Sequence, residues 1–234
     1  MPTTDHPTVP ASRVGLLGEA VGVLQVPRLL ARSPRLRRMP RGDGAPVVDV
    51  PGWRANEVSM APLRGYLRWL GHDAHGWGFG VNIGEVTANA DRLAPVVRQR
   101  AEQSGRPVTL IGWSLGGVVA RETARLLGPT SVAQVITLGS PLIGGPAFTS
   151  VSPRMSDASR KRLVARIEEV ERSSPLTIPV TSIFTRRDRV VPWQASLDHH
   201  TAEVSHIEVR STHFTLGVDP DVWEIIARLL DAGA

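Results

Sequence analysis

The chain has 234 residues, of which 41% are hydrophobic and 21% charged, and it contains no cysteine. This composition excludes a disordered or collagen-like chain, a disulfide scaffold, a thiolate zinc site and a thiol nucleophile. The length predicts one domain over residues 1–234, and the net charge of +5 comes from 27 basic and 22 acidic residues.

The N-terminal segment, residues 1–44, is predicted to be a helical extension. Residues 12–30 carry apolar side chains at helical spacing, and we expect Pro27 to end that helix. The segment lacks the pattern of a signal peptide, and no run of about 18 consecutive apolar residues occurs in the chain. We therefore expect a cytoplasmic protein without a transmembrane helix.

Six arginines fall between Arg28 and Arg41. Such a cluster favours an anionic partner, either nucleic acid or a membrane surface, or it forms an ordinary solvated helix face. Aromatic residues, which stack on bases in single-strand binders, are missing from this stretch. We predict no nucleic-acid binding and retain a weak membrane-surface contact as the alternative to a solvated face.

From residue 45 onward, short β-branched runs alternate with amphipathic helical stretches. This alternation predicts a doubly wound, mostly parallel, six-stranded α/β sheet, whose ligands bind beyond the carboxyl ends of the strands. The predicted strands are 46–50, 73–75, 107–111, 132–138, 178–184 and 204–209. The predicted helices are 61–70, 84–104, 115–127 and 219–230.

One long connection, residues 141–177, interrupts this rhythm. It contains a helical stretch with Leu163, Val164, Ile167 and Val170 on one face. The stretch predicts either a short helical lid over the site or an ordinary surface helix packed on the core.

The sequence G-W-S-L-G-G at 112–117 carries the strongest chemical signal. It lies directly after an apolar strand and directly before a predicted helix. A G-x-S-x-G motif in that position forms a sharp turn that exposes the serine hydroxyl at a helix N-terminus. Ser114 is therefore the candidate nucleophile, and the N–H of Leu115, the next residue, is a candidate oxyanion donor.

Around this motif, residues 46–230 resemble the α/β-hydrolase superfamily and, within it, small serine esterases and lipases. The resemblance is most specific from V-T-L-I-G-W-S-L-G-G at 108–117 through V-I-T-L-G-S-P at 135–141. It implies a minimal version of that fold, because the family's first two strands are absent and the N-terminal helical segment stands in their place.

The resemblance also implies the remaining catalytic residues. The stretch D-R-V-V-P at 188–192 is similar to the family's acid loop and makes Asp188 the orienting acid. His213 follows the last predicted strand and occupies the family's position for the general base. The N–H of Trp53, in the loop after the first strand, corresponds to the second oxyanion donor. The other six histidines are predicted to be structural or solvated.

Four tryptophans fall at strand ends on the expected catalytic rim. Trp53, Trp77, Trp113 and Trp193 predict an aromatic, apolar substrate pocket, with simple loop anchoring as the alternative. No cofactor is expected, because the glycines at 76–80 lack the spacing of a dinucleotide loop. No metal is expected either, since Thr215 stands where similar lipases carry a calcium-binding carboxylate. Asp49, inside an apolar strand, has no explanation in the sequence.

These features predict a serine hydrolase that cleaves carboxylic esters with apolar or acyl groups through an acyl-enzyme. Thioesterase, lactonase, amidase and acyltransferase activities share this machinery and remain alternatives. A non-catalytic binding protein on a hydrolase scaffold is an alternative of another class. The sequence leaves the oligomeric state open.

Overall fold

The computed structural model describes residues 25–145, 149 and 156–232, and its elements alternate as the sequence predicts. The six strands are β1 (Pro46–Val50), β2 (Asp73–Gly76), β3 (Val108–Trp113), β4 (Val132–Leu138), β5 (Val180–Phe184) and β6 (Val204–Glu208). The six described α-helices are α1 (Gln25–Leu36), α2 (Ala61–Leu70), α3 (Val86–Ser104), α4 (Leu115–Leu127), α5 (Asp157–Ser173) and α6 (Pro220–Ala232).

The strands form one sheet in the order β2-β1-β3-β4-β5-β6. Every neighbouring pair in this sheet is parallel, so the predicted mostly parallel sheet is confirmed and is parallel throughout. The chain moves outward from β1 to β2, then returns to place β3 on the other side of β1. That reversal opens a crevice between the carboxyl ends of β1 and β3.

The two faces of the sheet carry separate hydrophobic cores. One core joins alternate strand residues such as Val47 and Ile111 to α2 and α6. The other joins Val48 and Leu110 to α3 and α4. Because successive strand side chains point to opposite faces and both faces are covered, the strands read as continuous apolar runs.

The N-terminal prediction needs a correction. Residues 1–24 lie outside the described residues, and α1 extends through Leu36 with Pro34 inside it, so Pro27 does not end this helix.

The arginine cluster fastens α1 to the C-terminal helix. Arg28 pairs with Asp219 at 3.0 Å and with Asp221 at 2.9 Å, and Arg35 pairs with Glu224 at 2.7 Å. These pairs engage part of the cluster within the protein. Among the described helices, none combines the length and the apolar character needed to cross a bilayer.

Candidate active site

Ser114 occupies a tight turn between the end of β3 and the start of α4. Its backbone has φ 53° and ψ −124°, a left-handed conformation that is strained for a residue with a side chain. The neighbouring glycines are sterically required: a Cβ on Gly112 would overlap Gly117, and one on Gly116 would lie 2.6 Å from the carbonyl oxygen of Pro51. The turn is thus pressed directly against the loop that follows β1.

The structure brings Ser114, Asp188 and His213 together. His213 Nε2 lies 3.1 Å from Ser114 Oγ, and His213 Nδ1 lies 2.7 Å from Asp188 Oδ2. The side chains of His213 and Asp188 are 4% and 2% exposed, so little water competes for the Nδ1 contact. Because an ionised carboxylate only accepts, Nδ1 carries the proton and Nε2 is left as the acceptor for the serine hydroxyl.

Further hydrogen bonds hold the Asp188 carboxylate and the backbone of His213. The second carboxylate oxygen of Asp188 accepts hydrogen bonds from the N–H groups of Val190 and Val191, at 2.8 and 2.7 Å. The carbonyl of His213 accepts a 3.0 Å hydrogen bond from Trp113 Nε1. The sequence analysis did not find these contacts, although the D-x-V-V spacing contains the amide pair.

Arg186 lies close to Asp188 in the sequence, but it pairs with Glu208 at 3.1 Å and lies over the Trp193 ring. The Arg186 guanidinium is thus engaged away from the Asp188 carboxylate, which the two backbone N–H groups hold in place.

Of the two residues predicted to supply oxyanion amides, Leu115 directly follows Ser114 and Trp53 lines the same cavity as Ser114. Leu115 N–H is in the first turn of α4, where N–H groups have no intrahelical acceptor. In the loop after β1, Arg54 N–H donates to Asn82 and Ala55 N–H donates to Gly52, while Pro51 has no N–H. Among the described loop residues this leaves the N–H groups of Gly52 and Trp53 for a ligand.

Asp49 now has a structural explanation. Its carboxylate lies in β1, is 3% exposed and receives two hydrogen bonds from Arg64 of α2, at 2.6 and 2.8 Å. Burial raises the pKa of Asp49, and the Arg64 guanidinium opposes that rise. The same guanidinium donates to the carbonyl of Glu57 at 2.9 Å, so the pair ties β1 to α2 and to the segment before it.

A cavity of about 260 Å³ opens over Ser114 and His213. Its walls are mainly apolar or aromatic, and the lining residues are Gly52, Trp53, Arg54, Ala55, Trp113, Ser114, Val190, His213 and Phe214. Trp53 and Trp113 therefore lie where the sequence analysis placed them. Phe214 was missed, although it directly follows the candidate base.

Two of the predicted pocket tryptophans do not line this cavity. Trp77 is 1% exposed, packs edge-on against Phe79 and donates its indole N–H to the Gly80 carbonyl at 3.0 Å. Trp193 stacks on Phe184. Both predictions were wrong because a position beside a strand end does not determine which way the side chain points.

The described part of the 141–177 connection contributes no residue to the cavity wall. The end of α5 is instead anchored in the body of the protein, where buried Glu171 pairs with Arg121 at 3.1 Å and with Arg125 at 2.8 Å. Residues 146–148 and 150–155 of the connection lie outside the described residues. A lid role for this connection stays a prediction.

None of the other described histidines lines the cavity over Ser114. His199, His200 and His206 are exposed, His75 pairs with Asp73 at 2.7 Å, and His72 is buried beneath Gly42. His6 lies outside the described residues. Among those described, no three His, Asp or Glu side chains cluster closely enough to hold a metal ion.

Sequence comparison matches a large part of the chain to a known family. The family described as a PGAP1-like alpha/beta domain matches residues 87–223, more than half of the chain. The pimeloyl-[acyl-carrier protein] methyl ester esterase of Aliivibrio salmonicida is 32% identical over 103 residues, which are 42% of this chain and 37% of that protein. The match thus spans little more than a third of that relative.

Solved structures share the architecture. One of two metagenome-derived lipolytic enzymes, LipS and LipT, aligns with a TM-score of 0.58 at 20% identity, covering 83% of this chain and 95% of the other. The monoacylglycerol lipase of Paleococcus ferrophilus aligns with a TM-score of 0.60 at 16% identity, covering 82% and 97%. At these identities the likeness concerns the fold, and it confirms the α/β-hydrolase architecture expected from the sequence.

Proposed function

We propose that this chain, which belongs to the family described as a PGAP1-like alpha/beta domain, is a serine hydrolase that cleaves carboxylic esters. The observation that carries the proposal is the position of the His213 imidazole. One ring nitrogen lies 3.1 Å from the hydroxyl of Ser114 and the other lies 2.7 Å from the carboxylate of Asp188. That arrangement can remove the proton from a serine hydroxyl as it attacks a carbonyl.

The acylation step follows from these contacts. Ser114 Oγ forms a bond to the ester carbonyl carbon while its proton moves to His213 Nε2. The carbonyl oxygen gains the electron pair and accepts hydrogen bonds from the N–H groups of Leu115 and Trp53. When the tetrahedral intermediate collapses, the ester C–O bond breaks and His213 returns the proton to the departing alkoxide.

Deacylation repeats these roles with water. A water molecule gives its proton to His213 Nε2 and attacks the acyl carbon, and Ser114 leaves as the protonated alcohol with the proton from His213. Throughout, the Asp188 carboxylate keeps Nδ1 protonated and stabilises the imidazolium that forms twice per cycle.

The cavity supports an ester with an apolar acyl or alcohol group of modest size. A volume of about 260 Å³ is slightly below the roughly 300–1,000 Å³ typical of ligand pockets, and Trp53, Trp113 and Phe214 supply aromatic walls. The similar protein from Aliivibrio salmonicida is named for hydrolysis of a methyl ester, which supports the same bond type here. Thioesters, lactones and amides are the comparison substrates.

The test is hydrolysis of nitrophenyl esters of graded acyl length beside a thioester, a lactone and an anilide. Ser114→Ala and His213→Ala should lose at least about 10³-fold in kcat and keep the native fold, as checked by circular dichroism. Ser104→Ala and His199→Ala change exposed residues of the same types and should keep full activity. Ester hydrolysis that survives in Ser114→Ala, or a wild-type protein that a fluorophosphonate does not label, would contradict the proposal.

A further inference from the structure

We infer that Asn82 is a positioning residue that holds the oxyanion loop, defined here as Pro51–Ala55, against the nucleophile turn. The inference rests on the proposed function, because it assigns Asn82 an effect on transition-state stabilisation. Asn82 itself does not line the cavity. It acts through the loop that carries Trp53 N–H.

Asn82 is buried, whereas its two apolar neighbours in the sequence are exposed. Asn82 has no exposed surface, whereas the apolar side chains of Val81 and Ile83 on either side are 50% and 71% exposed. Burying an amide in preference to two β-branched apolar side chains is unfavourable unless the amide is fully hydrogen-bonded. The local structure therefore turns the polar residue inward for its hydrogen bonds.

Three hydrogen bonds of residue 82, one from the Asn82 side chain and two from its backbone, hold the two ends of the oxyanion loop. Asn82 Nδ2 donates to the carbonyl of Pro51 at 2.9 Å, at the start of the loop. The Asn82 carbonyl accepts from Arg54 N–H at 2.7 Å, and Asn82 N–H donates to the carbonyl of Ala55 at 2.9 Å. Gly52 and Trp53, whose N–H groups face no protein acceptor in the described loop, lie between these attachments.

The orientation of the Asn82 amide is also fixed. Its Oδ1 accepts from Gly84 N–H and from Asn89 Nδ2, each at 3.1 Å. Because a backbone N–H can only donate, Oδ1 must face Gly84, and Nδ2 must face Pro51. An asparagine supplies a donor and an acceptor at this spacing, which neither Leu nor an ionised Asp can do.

The loop needs this support because its backbone is strained. Arg54 has a φ of 59°, and among the described residues only Arg54 and Ser114 combine a side chain with a positive φ. The loop also passes so near the nucleophile that a Cβ on Gly52 would lie 3.3 Å from Ser114 Cβ. A displacement of Pro51 would therefore move Trp53 N–H relative to the oxygen that develops charge on the substrate.

The decisive variant is Asn82→Asp, which keeps an acceptor for Gly84 and Asn89 and removes the donor to Pro51. With a nitrophenyl ester, kcat should fall about 10- to 100-fold while KM stays within about twofold, since only the transition state uses the aligned amide. Affinity for a trifluoromethyl ketone, which forms a hemiketal oxyanion on the serine, should fall by a similar factor.

A second variant and a control separate positioning from stability. Asn89→Ala removes one partner of the Asn82 amide and should lower kcat about two- to fivefold, and it decides the matter if Asn82→Asp does not fold. Thr123→Val removes a buried hydroxyl that bonds to Val119 on α4 and should lower the melting temperature while kcat is retained.

The outcomes distinguish the two proposals. Wild-type kcat in folded Asn82→Asp or, where that variant does not fold, in Asn89→Ala overturns the positioning role and leaves ester hydrolysis intact. The positioning role also fails if the loss of kcat in the variant is no larger than the loss of active protein that fluorophosphonate titration measures. A wild-type protein that neither hydrolyses esters nor binds the ketone overturns the proposed function, and the positioning role with it.

Discussion

Replacing Gly116 by alanine provides a direct test of how closely the nucleophile turn and the oxyanion loop are packed. A Cβ at this position would lie 2.6 Å from the carbonyl oxygen of Pro51 and would also overlap the carbonyl of Val50. An ordinary C···O contact is about 3.3 Å, so relieving the Pro51 contact alone needs a movement of about 0.7 Å, and the nearer Val50 carbonyl needs a larger one.

That displacement is enough to reduce catalysis. A misplacement of about 1 Å at a catalytic group costs on the order of 10²-fold in rate, so we expect Gly116→Ala to lower kcat about 10- to 100-fold. Overpacking of this kind also destabilises a protein by about 1–3 kcal/mol. Steady-state kinetics on a nitrophenyl ester, corrected by fluorophosphonate titration of active protein, measures the first effect and urea denaturation the second.

Gly65→Ala is the matched control. Gly65 lies inside α2, where an added Cβ has no atom within 4 Å. Alanine there should raise the free energy of unfolding by about 0.4–1 kcal/mol and leave kcat unchanged. If Gly116→Ala folds and turns over esters as fast as Gly65→Ala, the close approach of the two loops does not control the oxyanion amides and our reasoning fails.

Three further predictions concern stability. Arg121→Met leaves the buried carboxylates of Glu171 and Asp198 without their shared guanidinium and should cost about 3–5 kcal/mol in urea denaturation; a loss under 1 kcal/mol would refute this. Leu93→Ala opens a cavity in the α3 side of the core and should cost about 2–5 kcal/mol by the same measurement, whereas a neutral result would mean that the core closes around it. Burial lowers the pKa of His72 in the folded protein. The contribution of neutral His72 to stability is therefore fully present above the ordinary pKa of about 6.5 and is lost as the pH falls through the folded pKa. Calorimetry at pH 7.5 and 5.5 should show a smaller drop in melting temperature for His72→Gln than for wild type.

Hydrophobic periodicity predicted most of the fold, because burial on both faces of a parallel sheet leaves a visible pattern. The bounds of β1, β4, α2 and α4 agree with the sequence predictions residue for residue. The end of β3 was placed two residues early, at 111, since Gly112 read as a turn although the strand continues to Trp113. A glycine signals close approach as readily as it signals a turn, and only the structure distinguishes the two.

The side-chain partners were harder to predict, because each depends on where a distant element lies. Asp49 looked anomalous until α2 placed Arg64 beside it. Trp77 looked like a pocket residue until its ring was found in the core. Asn82 gave no signal in the sequence beyond a polar residue between two apolar ones.

Sheet topology explains why the proposed active site lies where it does. The connections from β1 and β3 leave toward opposite faces, since α2 packs on one core and α4 on the other. The backbone segments that leave the two strands therefore diverge and open the crevice into which the Ser114 turn and the oxyanion loop project. His213 reaches this crevice from beyond β6, at the far edge of the sheet, and its carbonyl is held by the Trp113 indole. We conclude that Trp113, next to the candidate nucleophile in sequence, links the candidate base to the end of β3 as well as lining the cavity.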